Sequence, residues 1–251
     1  MINKEAAPFY FHGNKTACLL VHGFTSSPRE MRPLGEFLAA QGYTVLGVRL
    51  FAHATRYQDM PRARWEDWLA NIEDGWYFLN GVNRPVVVIG FSLGGALSLY
   101  LSTLYPVKAV VAIAAPFNLP RDLRAPLLKP LSVIYPYIPI RGQGVWFNLQ
   151  EKAHHIRYPN DSTRALAEVR DFLLQLQKNI SRVTAPTLLI YSQNDPTVRI
   201  QDQHMESIYS KISSPVKEKV LIENSGHIIP LDKERDFVFQ KVVNFIARVV
   251  I

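Results

Sequence analysis

A serine between two glycines is the residue best suited to covalent chemistry, in the stretch Gly90-Phe91-Ser92-Leu93-Gly94. An apolar run at 86–89 precedes it and a helical pattern follows from Ala96, which predicts that Ser92 lies on a strand-to-helix turn. Glycine fits both flanking positions, because a Cβ there would crowd a turn tight enough to expose the hydroxyl. Glycines also occur in ordinary strand-to-helix turns, but this context favours Ser92 as a nucleophile.

A serine hydroxyl attacks well only when a base takes its proton and a third group orients that base. Of the seven histidines, His227 is best placed as the base, since it follows a predicted late strand. Asp195 follows the preceding predicted strand and is the candidate orienting group. The order Ser92, Asp195, His227 is the one expected with this kind of turn. Because the carboxyl ends of parallel strands meet at one edge of a sheet, we predict that these side chains come together.

Two backbone amides are predicted to bind the negative oxygen that forms when a carbonyl carbon is attacked. One belongs to Leu93, the residue after the nucleophile, and the other to Phe24 in the turn Val21-His22-Gly23-Phe24. This turn follows an early predicted strand, from which it can aim an amide at the same edge of the sheet. His22 is interpreted as a structural residue of the turn in preference to a second acid or base.

Alternating strands and helices are predicted to position these residues in an α/β fold, with a mostly parallel central sheet flanked by helices. Several apolar runs are unbroken by polar residues, as expected of strands covered on both faces. The predicted strands span 17–22, 44–49, 86–90, 110–114, 187–192 and 219–222. The predicted helices span 31–41, 65–80, 93–104, 162–177, 201–210 and 235–249.

The segment 117–182 interrupts this alternation and is predicted to form a cap, inserted between the core regions 1–116 and 183–251. It is longer than a crossover between neighbouring strands requires, and it contains Pro120, Pro126, Pro130, Pro136, Pro139 and Pro159. Its aromatic residues Tyr135, Tyr137 and Trp146 could line an apolar tunnel for an acyl chain or simply pack against the core. A loop that only decorates the core is the alternative to a cap.

Composition and charge limit the function classes. The 251 residues carry a formal net charge of +7, with a loose basic cluster at Arg121, Arg124, Lys129, Arg141, Lys152 and Arg157. No nucleic-acid-binding motif accompanies these residues, so we interpret them as a solvated surface. Cys18 is the only cysteine, which excludes an intramolecular disulfide and predicts a buried, inert thiol.

No apolar stretch is typical of a secretory signal or a membrane-spanning helix, which predicts a cytoplasmic protein without stable membrane insertion. We predict no metal and no organic cofactor. The adjacent pair His154 and His155 suits chelation poorly, and neither a His-Glu-x-x-His pattern nor a phosphate-binding glycine loop occurs.

These motifs together resemble the bacterial carboxylesterase and monoacylglycerol lipase branch of the α/β-hydrolase superfamily. The resemblance covers nearly the whole chain and fails mainly in 117–182. It implies the α/β-hydrolase fold with an inserted cap, Ser92 as nucleophile, Asp195 and His227 as its partners, and Phe24 and Leu93 as oxyanion donors. The matching pieces are Leu20-Val21-His22-Gly23-Phe24-Thr25, Gly42-Tyr43-Thr44-Val45, Trp65-Glu66-Asp67-Trp68, Gly90-Phe91-Ser92-Leu93-Gly94-Gly95, Ala185-Pro186-Thr187 and Ser225-Gly226-His227.

One departure from that resemblance lies in a loop after the second matched strand. Members of the branch usually carry Gly-His-Gly there, whereas this chain has Ala52-His53-Ala54. Because alanine does not freely take positive φ, the loop is predicted to follow a different path.

The expected activity is hydrolysis of short- to medium-chain acyl esters or monoacylglycerols through an acyl-enzyme on Ser92. The expected partner is therefore a small-molecule ester, with transient contact at a lipid surface left open and no nucleic-acid partner expected. The same residues leave open amide, thioester or carbon–carbon bond hydrolysis, and also a non-catalytic ligand-binding protein. A haloalkane dehalogenase is disfavoured, because a serine stands where that chemistry needs an aspartate. The sequence leaves oligomeric state and physiological substrate open.

Overall fold

A seven-stranded sheet forms the centre of the computed structural model, which describes residues 4–82, 85–119, 127–140 and 144–250. The strands are β1 (Phe9–Phe11), β2 (Ala17–Val21), β3 (Thr44–Val48), β4 (Val86–Phe91), β5 (Ala109–Ile113), β8 (Thr187–Ser192) and β9 (Lys217–Ile222). Their order across the sheet is β1-β3-β2-β4-β5-β8-β9, and all neighbouring pairs are parallel except β1 with β3. The predicted α/β fold with a mostly parallel sheet is confirmed.

All six predicted strands are present, with bounds that differ by no more than two residues at either end. The edge strand β1 was not predicted, because three residues are too few to show an alternating pattern. The strands β2, β4 and β5 are buried at every position, in agreement with their continuous apolar sequences.

Helices cover both faces of the sheet. They are α1 (Arg32–Ala40), α2 (Trp65–Gly81), α3 (Leu93–Leu101), α4 (Leu128–Ile134), α5 (Leu149–His154), α6 (Thr163–Asn179), α7 (His204–Lys211) and α8 (Arg235–Val249). The alternation of side chains along β2 shows the two layers. Leu19 and Val21 join the core with Trp68 of α2 and Leu97 of α3, whereas Leu20 joins the core that includes α1 and α8.

The inserted segment 117–182 contains α4, α5 and α6 and a small antiparallel pair, β6 (Tyr137–Pro139) with β7 (Asn160–Ser162). Only the helix at α6 was predicted in this segment, as 162–177. Its apolar face, which includes Phe172 and Leu176, belongs to the same core cluster as α2 and α3. This end of the insertion is therefore packed into the main core, and the assignment of 117–182 as a cap stays a prediction.

Part of the basic cluster is paired with acidic groups. Lys129 forms ion pairs with Asp171 and, at 3.5 Å, with the buried carboxylate of Glu168. Arg121, Arg124 and Arg141, like Pro120 and Pro126, lie outside the described residues. Lys129 is still partly exposed, and its charge also helps to compensate a buried carboxylate. The interpretation of the cluster as a solvated surface stays a prediction.

Three further features bear on possible ligands and surroundings. None of the helices in the four described ranges is both long and apolar enough to cross a bilayer. Within the same ranges, His, Cys, Asp and Glu side chains form no group of three or more that could hold a metal ion. Cys18 is buried without a disulfide partner, and burial raises the pKa of its thiol.

Candidate active site

The turn that carries Ser92 joins β4 directly to α3. Ser92 takes φ of +53°, a conformation that non-glycine residues rarely adopt, and its backbone N–H donates to the carbonyl of Ile113 at 2.8 Å. A Cβ on Gly90 would lie 2.1 Å from the carbonyl oxygen of Gly94. A Cβ on Gly94 would lie 2.3 Å from the carbonyl oxygen of Val21. The two glycines are thus required by the tightness of the turn, as the sequence predicts.

The structure brings together the three side chains that the sequence selected. His227 Nε2 lies 3.0 Å from Ser92 Oγ, and His227 Nδ1 lies 2.7 Å from Asp195 Oδ2. Ser92 follows β4, Asp195 follows β8 and His227 follows β9, so all three lie at the carboxyl edge of the sheet. This arrangement places an imidazole where it can accept the serine proton while a carboxylate holds its other nitrogen.

Asp195 is held in place by its own hydrogen bonds. Its Oδ1 accepts from the backbone N–H groups of Thr197 at 2.7 Å and Val198 at 2.9 Å, which leaves Oδ2 for His227. Burial by itself would raise the pKa of Asp195, but the charge of His227 and these hydrogen bonds outweigh it, and the pKa is lowered. The carboxylate is therefore ionised at neutral pH, as a group that orients an imidazole and stabilises its protonated form must be.

The two predicted amide donors are free to receive a ligand. The backbone N–H groups of Phe24 and Leu93 donate to no other described residue. Leu93 begins α3, so its amide points out of the helix N-terminus, where negative charge is favoured. The loop that carries Phe24 packs beside the turn, since a Cβ on Gly23 would lie 3.1 Å from the ring of Phe91. Two amides without an acceptor among the described residues, one directly after Ser92 and one in the loop packed beside its turn, match the needs of a tetrahedral oxyanion.

Known proteins with similar sequences were compared with this chain. The sequence pattern of the alpha/beta hydrolase family matches residues 18–240. The chain belongs to the α/β hydrolase family. Among curated proteins, this α/β hydrolase is 32% identical to a thermostable monoacylglycerol lipase of Bacillus sp. (strain H-257), over 97% of the chain and 95% of the relative. It is 29% identical to a carboxylesterase of Bacillus subtilis (strain 168), over 96% of both chains.

Solved structures of lipolytic enzymes have the same fold as this chain. A structure from work on the metagenome-derived lipolytic enzymes LipS and LipT has a TM-score of 0.88 and 27% identity, covering 99% of this chain and 100% of the other. The monoacylglycerol lipase of Paleococcus ferrophilus has the same fold, with a TM-score of 0.79 and 17% identity over 96% of this chain and 98% of the other. The α/β hydrolase described here is an enzyme of the same type as its carboxylesterase and monoacylglycerol lipase relatives.

His22 has the structural role that the sequence predicts for it in this α/β hydrolase. Its ring is buried, with Nδ1 donating to the carbonyl of Gly23 at 2.8 Å and Nε2 accepting from the N–H of Leu50 at 3.2 Å. Those two bonds need a neutral ring with the proton on Nδ1. His22 therefore connects the loop before Phe24 to the residues that follow β3, and both of its ring nitrogens are used in doing so.

The protein is expected to lose stability as the pH falls from about 6.5 to about 4. Burial lowers the pKa of His22 from 6.5 to about 4, in spite of the nearby charge of Glu30, and burial also lowers the pKa of His53. In this window the unfolded chain binds a proton on His22 and the folded chain does not, and the lowered pKa of His53 acts in the same direction. The stability from keeping His22 neutral is complete above pH 6.5 and declines below it, at about 1.4 kcal/mol per pH unit, and the buried ring of His53 adds to this loss.

Urea unfolding at a series of pH values between about 7.5 and 4.5 measures this loss. The midpoint is expected to fall steadily, and a His53→Gln variant is expected to show a shallower dependence because one of the two titrating rings is gone. A midpoint independent of pH in this window would contradict the assignment of both rings as buried and neutral.

That the loop of Ala52-His53-Ala54 follows a different path from the Gly-His-Gly of the branch stays a prediction, but its alanines do adopt positive φ. Ala52 and Ala54 take φ of +61° and +56°, the left-handed conformation that glycine adopts freely. The cost of about 1 kcal/mol for each alanine is offset by tertiary contacts. The Tyr158 hydroxyl donates to the carbonyl of Ala52 at 2.8 Å, and Arg49 donates to the carbonyl of His53 at 2.8 Å. These contacts, which the sequence does not reveal, hold Ala52 and Ala54 at positive φ.

Sequence reasoning also missed two buried carboxylates that border the site, Glu30 and Asp232. Each is nearly inaccessible, with 2% and 1% of its surface exposed. Glu30 Oε2 accepts the N–H of Gly23 at 3.2 Å, and Asp232 Oδ2 accepts the N–H of Gly226 at 2.6 Å. Both residues occur in segments without a catalytic motif, so residue type alone provided no signal for them.

Proposed function

We propose that this enzyme hydrolyses carboxylic esters, with Ser92 as nucleophile, His227 as general base and Asp195 as the group that orients it. The observation that carries the proposal is the continuous chain of hydrogen bonds from Asp195 through His227 to Ser92, at 2.7 and 3.0 Å. The names of the relatives support the choice of an ester as substrate, since both curated proteins are named for ester-cleaving activities.

Acylation begins when Ser92 Oγ attacks the ester carbonyl carbon and passes its proton to His227 Nε2. The resulting imidazolium is stabilised by Asp195, which accepts the hydrogen bond from Nδ1. The carbonyl oxygen becomes an oxyanion and accepts hydrogen bonds from the amides of Phe24 and Leu93. The tetrahedral intermediate collapses as the carbon–oxygen bond to the alcohol breaks, and His227 returns its proton to the departing alkoxide.

Deacylation repeats these steps with water in place of the serine. Water gives a proton to His227 and attacks the acyl carbon, and the same two amides hold the second oxyanion. The intermediate releases Ser92, which recovers its proton from His227, and the acid product leaves. The positions of Ser92, His227 and Asp195 are sufficient for every proton transfer in this cycle.

We propose that the insertion 117–182 acts as a cap that bounds the acyl site. Two of its contacts support this role: the N–H of Tyr158 donates to the carbonyl of Thr25 at 3.0 Å, and the carbonyl of Val145 lies against Gly226. The insertion thus reaches the loops on both sides of Ser92. A site bounded in this way favours short- to medium-chain acyl esters and monoacylglycerols over long-chain triglycerides.

The exposed surface of the same insertion supports transient contact with lipid. Large apolar side chains on and around α4 and α5 are exposed to solvent. The exposed fractions of Val133, Ile134 and Leu149 are 84%, 70% and 68%. An apolar surface of this kind lowers its free energy by contact with an assembly of lipid molecules. The proposed substrate of the site is nevertheless a single small ester.

Hydrolysis rates for p-nitrophenyl esters from acetate to palmitate test this function. Activity is expected to peak at short or medium chains, because the proposed cap limits the space for the acyl group. Ser92→Ala protein is the control for uncatalysed and contaminating hydrolysis. Activity restricted to the longest chains would contradict a bounded site, and the absence of serine-dependent ester hydrolysis would contradict the proposed reaction.

A further inference from the structure

Two buried carboxylates outside the hydrogen-bonded chain each hold the peptide just before a site residue. Glu30 Oε2 accepts the N–H of Gly23, which precedes the proposed oxyanion donor Phe24, at 3.2 Å. Asp232 Oδ2 accepts the N–H of Gly226, which precedes the proposed base His227, at 2.6 Å. The orientation of each of these peptides helps to set the direction of the group that follows it.

The other oxygen of each carboxylate binds the insertion. Glu30 Oε1 accepts from His155 Nε2 at 2.8 Å. Asp232 Oδ1 accepts from the backbone N–H groups of Phe147 at 2.8 Å and Asn148 at 2.6 Å. One stretch of the insertion, residues 145–158, which we call the strap, therefore reaches both carboxylates.

Direct packing reinforces both attachments of the strap. A Cβ on Gly226 would lie 1.7 Å from the carbonyl oxygen of Val145, so the strap backbone rests on the peptide before His227. At the other end, the hydroxyl of Ser26 donates to the carbonyl of Ile156 at 3.3 Å and the N–H of Tyr158 donates to Thr25. The strap thus touches the loop of the oxyanion donor and the loop of the base.

We propose that Glu30 and Asp232 are positioning residues through which the strap fixes the Phe24 amide and the His227 imidazole in their reactive positions. The inference rests on the proposed function, because the two carboxylates position groups whose roles, those of Phe24 and His227, are given there. It goes further because the strap then affects kcat through the two carboxylates, whether or not it also contacts the acyl group.

The chemistry of a carboxylate explains why these positions hold acids. An ionised acceptor makes stronger hydrogen bonds to N–H groups than a neutral one, and it accepts at both oxygens. Burial alone would raise the pKa of Glu30, but the hydrogen bond and charge of His155 outweigh it and lower the pKa below its ordinary value. An asparagine at position 232 has one oxygen and one NH₂ group, and an NH₂ group cannot accept a hydrogen bond from an N–H. It would therefore lose the bonds either to Gly226 or to the strap.

Kinetics of Glu30→Gln and Asp232→Asn on p-nitrophenyl acetate test the proposal, since the acetyl group is too small to depend on a long acyl site. Active sites are counted by burst titration with diethyl p-nitrophenyl phosphate. We expect kcat per titrated site to fall about 10- to 100-fold, the effect of a misplacement of about 1 Å, with KM changed by less than about threefold. The matched controls Glu36→Gln and Asp236→Asn, whose side chains are 59% and 89% exposed, should retain the wild-type kcat.

A pair of strap variants provides a second test if the buried substitutions prevent folding. His155→Ala removes the donor to Glu30 and is expected to lower kcat about tenfold, a milder misplacement than direct loss of the carboxylate. His155→Gln supplies an amide donor of similar reach and is expected to recover most of that loss. Recovery by glutamine would show that a donor of this reach supports the rate and that the imidazole itself is not required.

Two results would overturn the inference. One is an unchanged kcat per titrated site in the carboxylate variants, accompanied only by a lower Tm, which would make them structural anchors. The other is an unchanged kcat in His155→Ala. If the wild-type protein itself showed no Ser92-dependent ester hydrolysis, the proposed function would fall first, so the two failures are distinguishable.

Discussion

Replacing Ser92 with alanine is expected to lower kcat for ester hydrolysis by about 10⁶, because the variant has no group to form the acyl-enzyme. The hydroxyl lies 3.0 Å from His227 Nε2, and no nucleophile takes its place when it is removed. The fold should be unaffected, since the Ser92 backbone bond to Ile113 does not involve the hydroxyl. Rates on p-nitrophenyl butyrate, with circular dichroism to confirm folding, measure the effect.

Ser102→Ala is the matched control for this variant. Ser102 lies at the end of the same helix, and its hydroxyl donates to the local carbonyl of Leu99 at 2.7 Å. It is expected to retain full activity. Residual activity of Ser92→Ala above about 1% of wild type, after a contaminant has been excluded, would show that the nucleophile is another residue.

Replacing His227 with alanine is expected to cost nearly as much, again about 10⁶ in kcat, because the serine then has no base to accept its proton. The effects on kcat of replacing residues that act as one unit do not add. The double variant Ser92→Ala with His227→Ala should therefore be no slower than either single variant. Asp195→Asn is expected to cost less, since the base remains but its tautomer and orientation are no longer enforced. Steady-state rates on the same ester measure all of these variants.

The contrast with His53 tests whether the base is correctly assigned. His53 is buried, its Nδ1 bonds to the carbonyl of Phe51 at 2.9 Å, and its ring packs near Trp68, so it has no bond to Ser92. His53→Ala should lower the stability through a cavity and leave most of the activity of the folded protein. An activity loss equal to that of His227→Ala would contradict the assignment of His227 as base.

The sequence predicted those parts of the site that depend on local geometry. The Ser92 turn was predictable because both glycines are dictated by steric crowding over a few residues. Asp195 and His227 were predictable because parallel strands deliver the loops that follow them to one edge of the sheet. The long strands and helices were predictable for a similar reason, since their apolar periodicity extends over enough residues to be seen.

What the sequence did not predict depends on contacts between distant parts of the chain. Glu30 and His155 are 125 positions apart in the sequence, and Asp232 and Phe147 are 85 positions apart. No local sequence pattern can therefore predict either hydrogen bond. Charged residues are mostly exposed, and a buried carboxylate is recognised only when its donors are known. The short helices α4 and α5 escaped prediction because their few turns carry no clear apolar stripe, and neither has a buried residue.

The most direct test of the central claim is covalent labelling of the folded protein with a fluorophosphonate, followed by mass spectrometry of the peptides. The arrangement of Ser92, His227 and Asp195 predicts one label per chain, on Ser92, with loss of esterase activity in proportion to labelling. Labelling should be lost in Ser92→Ala and be strongly slowed in His227→Ala, because in the proposed mechanism that imidazole activates the attacking hydroxyl. A folded, wild-type protein that takes up no label, or takes it up on another residue, would contradict the assignment of Ser92 as the activated nucleophile.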